Sequence, residues 1–321
     1  MRTTPAVIAV IATSWMTGAA TAQELRCPNV RMVVPFGSGG AADILGRVVA
    51  EPMTKALDKT VVVENRPGAT GNIGTIQVVN AKPDGCMLLL NATVIATFPY
   101  SFPILGYDPF ADLVPIGGIA ATPNVLVASP AVPAATVGEL LKLASGQKTG
   151  INYSTSGYGL QQHLVVEQMA QRAGAKFTLV AYRTPAAMMT DIITGRVEFG
   201  SLLIGSTKSI IEEKKLRALA VVQDQRTSLL PDVPTTAEQG FPGLLGAVHF
   251  LLFAPGKTPK DTVSILESAL HRVISDESLK NRFIGIGFES TPMKSAEVVA
   301  AMIRTRDAFA PIIRELKIEL K

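Results

Sequence analysis

The chain has 321 residues, of which 47% are apolar and 17% charged, and it carries a formal charge of +4. That is enough chain for two domains or one large one, and enough apolar content to exclude a disordered protein. A charge balance this mild, without a basic stripe or aromatics interleaved with Lys and Arg, excludes a nucleic-acid surface and leaves weak steering of small anions.

Residues 1–22 read as a secretion leader. Arg2 is the positive start, residues 6–12 are a short apolar run, and Ala20-Thr21-Ala22 is a small-residue cleavage site before Gln23. The run is too short to span a bilayer. No cysteine sits at the cleavage point, so a soluble periplasmic protein is expected. Cys27 and Cys86 each precede an expected strand. If those strands are parallel neighbours, both sulfurs lie at one edge of a sheet. A disulfide and two buried thiols both remain open; a disulfide would add roughly 3–4 kcal/mol.

The mature chain opens with a strand at residues 31–34, then Pro35-Phe36-Gly37-Ser38-Gly39-Gly40, then a helix from Ala41 with apolar residues at helical spacing. A strand ending in a turn without bulky side chains aims the first helical N–H groups at whatever lies above the sheet. Those groups have no intrahelical partner and carry the positive end of the helix dipole, so they suit an anion. Asp43 follows in the first helical turn. A carboxylate there repels an anion, so it is expected to cap the helix or bond across the turn.

A second strand is expected at 60–64, a turn-rich loop at 65–74, a helix at 75–81, a Pro83-Asp84-Gly85 turn and a third strand at 86–90. Asn91 and Thr93, at its polar end, join the candidate binding residues. This β-α-β-α-β series with continuously apolar strands marks a parallel sheet covered on both faces. The long extended run at 116–128 is expected to cross to a second lobe. Thr136, with Glu139 three residues on, caps a helix.

A strand at 151–154 then leads into Thr155-Ser156-Gly157-Tyr158-Gly159 and a helix at 160–173. This repeats the logic of the first turn, so the two units are expected to face each other across a cleft. Tyr158 would wall the pocket. His163, on the following helix, has two readings, help in binding an anion and, the favoured one, satisfying a loop carbonyl. Arg183 is a candidate counter-charge for a second carboxylate. Further strands are expected at 178–182, 197–199 and 216–222, a return crossover at 240–254, and helices at 260–276, 277–284 and 295–316. His249 is read as structural and His271 as a surface residue.

Other chemistries fit less well. Residues 37–42 satisfy G-x-G-x-x-A after a strand, and Glu64 stands where a ribose-binding acid would be, so an exported Rossmann-type NAD-dependent oxidoreductase is the enzyme alternative. The leader and the Pro35-Phe36 pair count against it. There is no G-K-[ST] loop and no G-x-S-x-G elbow, and the three histidines and two cysteines have no metal-site spacing. No cofactor or metal is expected.

Several motifs carry a resemblance: VVPF-x-x-GG-x-x-D, VENRPGA-x-GNIG, PDG, LPDVPT-x-x-E-x-G and APGKTP. Together they resemble the Bug family, the extracytoplasmic solute receptors of tripartite tricarboxylate transporters, over nearly all of the mature chain. The resemblance implies an α/β, class II periplasmic-binding-protein fold. Its two lobes would be residues 23–123 plus 246–321 and residues 124–245, joined by two crossover strands. It implies a non-enzymatic receptor for a small organic acid, working as a monomer with two membrane subunits; a sensor-kinase ectodomain is the partner in an orphan-receptor alternative. Phe36, Gly37, Gly39, Gly40 and Ala41 of the first turn, with Thr155, Ser156, Gly157 and Gly159 of the second, would grip a carboxylate, in part through backbone N–H groups. Departures from the pattern are Gly37-Ser38 in place of proline, Ala42 for threonine, Thr155 and Leu160 for serines, and Thr184 for glycine. The hydroxyl of Ser38 is an added donor, and the loss of one at Leu160 suits an acid less polar than citrate.

Overall fold

The computed structural model describes residue 25, residues 27–182 and residues 185–320; the leader and Arg183 lie outside them. The chain begins with β1 (Asn29–Val34), α1 (Ala41–Leu57), β2 (Thr60–Asn65), α2 (Asn72–Val79) and β3 (Met87–Ala92). β2 and β3 flank β1, both parallel to it. Met32, Val33, Val34 and Leu88, Leu89, Leu90 are all fully buried, because helices cover both faces of a parallel sheet. Cys27 and Cys86 form a disulfide with their Cα atoms 5.8 Å apart, just ahead of the paired strands.

Then come α3 (Phe98–Ser101) and β4 (Leu113–Thr122). Pro123 separates β4 from β5 (Asn124–Ala128), so the extended run is two strands in two different sheets. The second sheet is built from β5, α4 (Val137–Ser145), β6 (Ile151–Thr155), α5 (Gln161–Ala173), β7 (Phe177–Leu179), α6 (Pro185–Ile193), β8 (Phe199–Leu203), α7 (Ile204–Glu212) and β9 (Arg217–Val221). Thr136 caps α4 by accepting the Glu139 N–H at 3.1 Å, while Glu139 reaches back to the Ala135 N–H. The chain returns in β10 (Val248–Pro255) and ends with α8 (Lys260–Ile274), α9 (Glu277–Gly285), β11 (Glu289–Met293) and α10 (Ser295–Glu315).

The sheet orders are β11-β4-β10-β3-β1-β2 and β7-β6-β8-β5-β9. Without β11 they follow one plan. A central strand (β1 or β6) lies between two parallel neighbours, and the next strand across (β10 or β5) is antiparallel and arrives from the other sheet. Side chains of β5 alternate between two cores, Leu126 and Ala128 in one and Val125 and Val127 in the other.

Some features differ from expectation. α2 starts at Asn72, because Gly74 allows the helix to press on Pro35; a Cβ there would lie 2.9 Å from that of Pro35. β8 lies at 199–203, where Gly200 and Ser201 complete ladders to β5 and β6 although neither is apolar. α10 runs through both cores, with Val298 and Met302 in the first and Phe309, Ile312 and Ile313 in the second. The two sheets therefore share a helix as well as two crossovers.

Candidate carboxylate site

β1 and β6 each end in a turn that leads into a helix, and the two turns share two hydrogen bonds at equivalent positions. In the first, Gly39 has φ +78°, its N–H donates to Asp43 Oδ2 at 2.9 Å, and the Gly40 N–H reaches the Gly37 carbonyl at 3.4 Å. In the second, Gly159 has φ +73°, its N–H donates to His163 Nδ1 at 3.1 Å, and the Leu160 N–H reaches the Gly157 carbonyl at 3.4 Å. Gly40 and Leu160 are the residues flanking α1 and α5, with near-identical extended backbones and no capping side chain. The first N–H groups of both helices are thus left for an external acceptor.

Asp43 bonds across its turn, as expected. Burial pushes its carboxyl up, but the Gly39 N–H, Arg47 and Asn65 outweigh this and hold it below the ordinary value. Arg47 lies 2.9 Å from it and also bonds Asn65, whose amide donates to the Phe36 carbonyl at 3.1 Å. The second turn does the same job with an imidazole. His163 takes an N–H rather than satisfying a carbonyl, which corrects the expectation. Because Nδ1 accepts, its proton sits on Nε2, which faces Glu167 Oε1 at 3.5 Å. Burial raises the Glu167 carboxyl, but His163 and the Tyr153 hydroxyl, which donates to it at 2.6 Å, hold it lower overall.

Of the other candidates, Ser38 and Ser156 are exposed at the turn tips, and Ala41 is buried at the start of α1. Thr155 folds onto its own turn, its hydroxyl accepting the Gly157 N–H at 3.2 Å. Tyr158 is 39% exposed, with its ring 4.6 Å from that of His163. Thr93 is fully buried, and its hydroxyl has no hydrogen-bond partner among the described residues. Asn91 is fully buried, and its amide donates to Thr75 at 3.2 Å. Arg183 lies outside the described residues. Glu64, the acid of the dinucleotide reading, is paired with Arg31 and Arg66.

Two features of the site were not among the sequence candidates. Gln161, at the start of α5, donates to the carbonyls of Leu245 (2.6 Å) and Ala247 (3.0 Å), pinning the second turn to the return crossover. The loop at 68–72 links the turns. Gly71 packs on Phe36, and the Thr70 hydroxyl donates to the Tyr158 carbonyl at 3.4 Å. An open apolar groove between α8, β11 and the start of α10 shares no residue with either turn.

A family model described as the tripartite tricarboxylate transporter family receptor matches residues 45–318. The chain belongs to this receptor family. A UPF0065 protein from the TAR-I ttuE-ttuC' intergenic region of Agrobacterium vitis is 33% identical over 80% of this chain and 75% of its own. Among solved structures, the periplasmic binding protein BugD superposes with a TM-score of 0.84 at 30% identity, covering 91% of this chain and 98% of its own. A Rhodopseudomonas palustris protein solved with adipate gives 0.85 at 28% identity, over 89% and 96%. MatC from the same organism, solved with bound malate, gives 0.82 at 25%, over 89% and 98%. The family is one of Bug/TctC-type solute-binding receptors, and its solved members are periplasmic binding proteins. It is a family of substrate-binding receptors rather than of enzymes.

Proposed function

We propose that this receptor captures a small organic carboxylate between its two sheets, with no chemistry following, and delivers it to the membrane subunits of a tripartite tricarboxylate-type transporter. The observation that carries this reading is the matched pair of turns, each presenting uncapped helical N–H groups. Phe36, Gly37, Ser38, Gly39, Gly40 and Ala41 form one jaw; Thr155, Ser156, Gly157, Tyr158 and Gly159 form the other. Residues 23–123 with 246–321, and residues 124–245, are the lobes; the change of sheet at Pro123 and the Asn124 N–H to Gly246 carbonyl bond of 2.9 Å support the division. After loss of residues 1–22 the receptor works in the periplasm as a monomer. Adipate and malate, seen with structural relatives, set the ligand class.

A thermal-shift series on the mature protein with adipate, malate and their diamides tests this. A ligand held only by the folded state raises the melting temperature. A rise with at least one acid and none with its diamide is expected. Equal rises with acid and diamide would overturn the carboxylate reading.

A further inference from the structure

Residues 68–71 form a left-handed turn in which every φ is positive: +136° at Gly68, +45° at Ala69, +54° at Thr70 and +94° at Gly71. Glycine adopts such angles freely. Ala69 and Thr70 do not, and each holds the conformation under strain. Strain of this kind persists only where neighbours over-determine it, and here they do. The Thr75 hydroxyl donates to the Gly71 carbonyl at 2.9 Å, and the Asn91 amide donates to that same hydroxyl at 3.2 Å. The Gly71 N–H closes the turn on the Gly68 carbonyl at 2.9 Å. Gly71 also lies so close to Phe36 that a Cβ would stand 3.2 Å from its ring.

The strained turn therefore rests on the first jaw and extends Thr70 toward the second. Thr70 lies between β2 and α2, and Tyr158 between β6 and α5, so their hydrogen bond joins elements of different sheets. Separating the two sheets at the turns breaks it. We propose that residues 68–71 are a strap across the carboxylate pocket, latched to the second jaw by Thr70 and positioned by Thr75 and Asn91. The inference rests on the carboxylate-receptor reading for what lies beneath the strap, but the latch itself does not need a ligand. It assigns Asn91 a positioning role through Thr75, since its amide is already engaged there. One geometric consequence follows. A ligand entering or leaving the pocket must wait for the Thr70 contact to open, so the strap gates association as well as dissociation.

The test uses mature wild-type protein, Thr70→Val, Thr70→Ser and Thr75→Val. Solution X-ray scattering of each without ligand reads the latch directly. Thr70→Val and Thr75→Val are expected to give a larger radius of gyration than wild type, with Thr70→Ser matching wild type. Binding kinetics with whichever of adipate or malate stabilises wild type read the pocket. Thr70→Val is expected to take up and release the acid each up to about 3–10-fold faster, the worth of one hydrogen bond, with Thr70→Ser restoring the wild-type rates. Unchanged scattering and unchanged release in Thr70→Val overturn the strap while leaving the receptor intact. Opening by Thr70→Val in a wild type that binds neither acid upholds the latch and counts against the receptor reading instead.

Discussion

At the scale of single residues, the site depends on what does not cap α1. Gly40 has φ −78°, an angle open to any residue, and a Cβ there would lie 3.4 Å from the Gly37 carbonyl. Gly40→Asp is therefore tolerated by the backbone, and it places a favoured capping carboxylate on the very N–H groups an external acid would use. The expected result is a folding stability equal to wild type or a few tenths of a kcal/mol higher, with affinity for the acid reduced about a hundredfold through loss of charged hydrogen bonds. Calorimetric titration beside thermal melting separates the two effects. Asp43 gives a second prediction. Its folded value lies below the ordinary 3.8, so the unfolded chain binds the proton first as the pH falls. The stability it contributes is present above pH 3.8 and is lost on the way down to the folded value. Asn keeps the acceptor for the Gly39 N–H but does not titrate. The melting temperature of Asp43→Asn should thus fall less steeply than that of wild type below that pH.

At the scale of elements, the strand-turn-helix units were legible because local signals agree. β1 is an apolar run closed by Pro35, the turn is glycine and serine, and α1 has helical apolar spacing. The strap was not legible. Ala69 and Thr70 have no local preference for a left-handed backbone; the turn is closed by the Gly71 N–H on the Gly68 carbonyl, with Gly71 held by Thr75 and Asn91, and Asn91 lies 16 residues beyond Thr75. The role of His163 was hidden for a related reason. Its equivalent in the first turn is an aspartate, so the sequence shows no repeat at this position although both side chains accept the corresponding glycine N–H. The disulfide was foreseeable only as one of two outcomes, because it needed β1 and β3 to be neighbours. Now that they are, reduction or a Cys27→Ser/Cys86→Ser pair should lower stability by about 3–4 kcal/mol in denaturant titration, without changing acid affinity, since neither sulfur is near the turns.

At the scale of the whole molecule, the two sheets follow one plan and exchange strands at Pro123 and at β10, an arrangement the continuous apolar runs had announced. The shared α10 was not readable, since its apolar face is continuous and only packing shows that its two ends enter different cores. Closure on a ligand must therefore be accommodated at three connections. Pro311 lies inside α10 near the passage between cores, where a missing helical hydrogen bond makes bending easiest. Gln161 and Thr122 fix the rest of this region. Gln161 holds the return crossover, and Thr122 donates to the Gly287 carbonyl at 2.7 Å while accepting the Gly205 N–H at 2.9 Å.

The account stands most directly on where an acid binds. The measurement that decides it is an amide NMR titration of the mature, 15N-labelled protein with the acid that raises its melting temperature. The largest shifts should fall on the amides of residues 40–43 and 160–163, at the uncapped starts of α1 and α5. Saturable shifts confined to other places, such as the groove lined by Leu270, Ile274 and Met293, would contradict it.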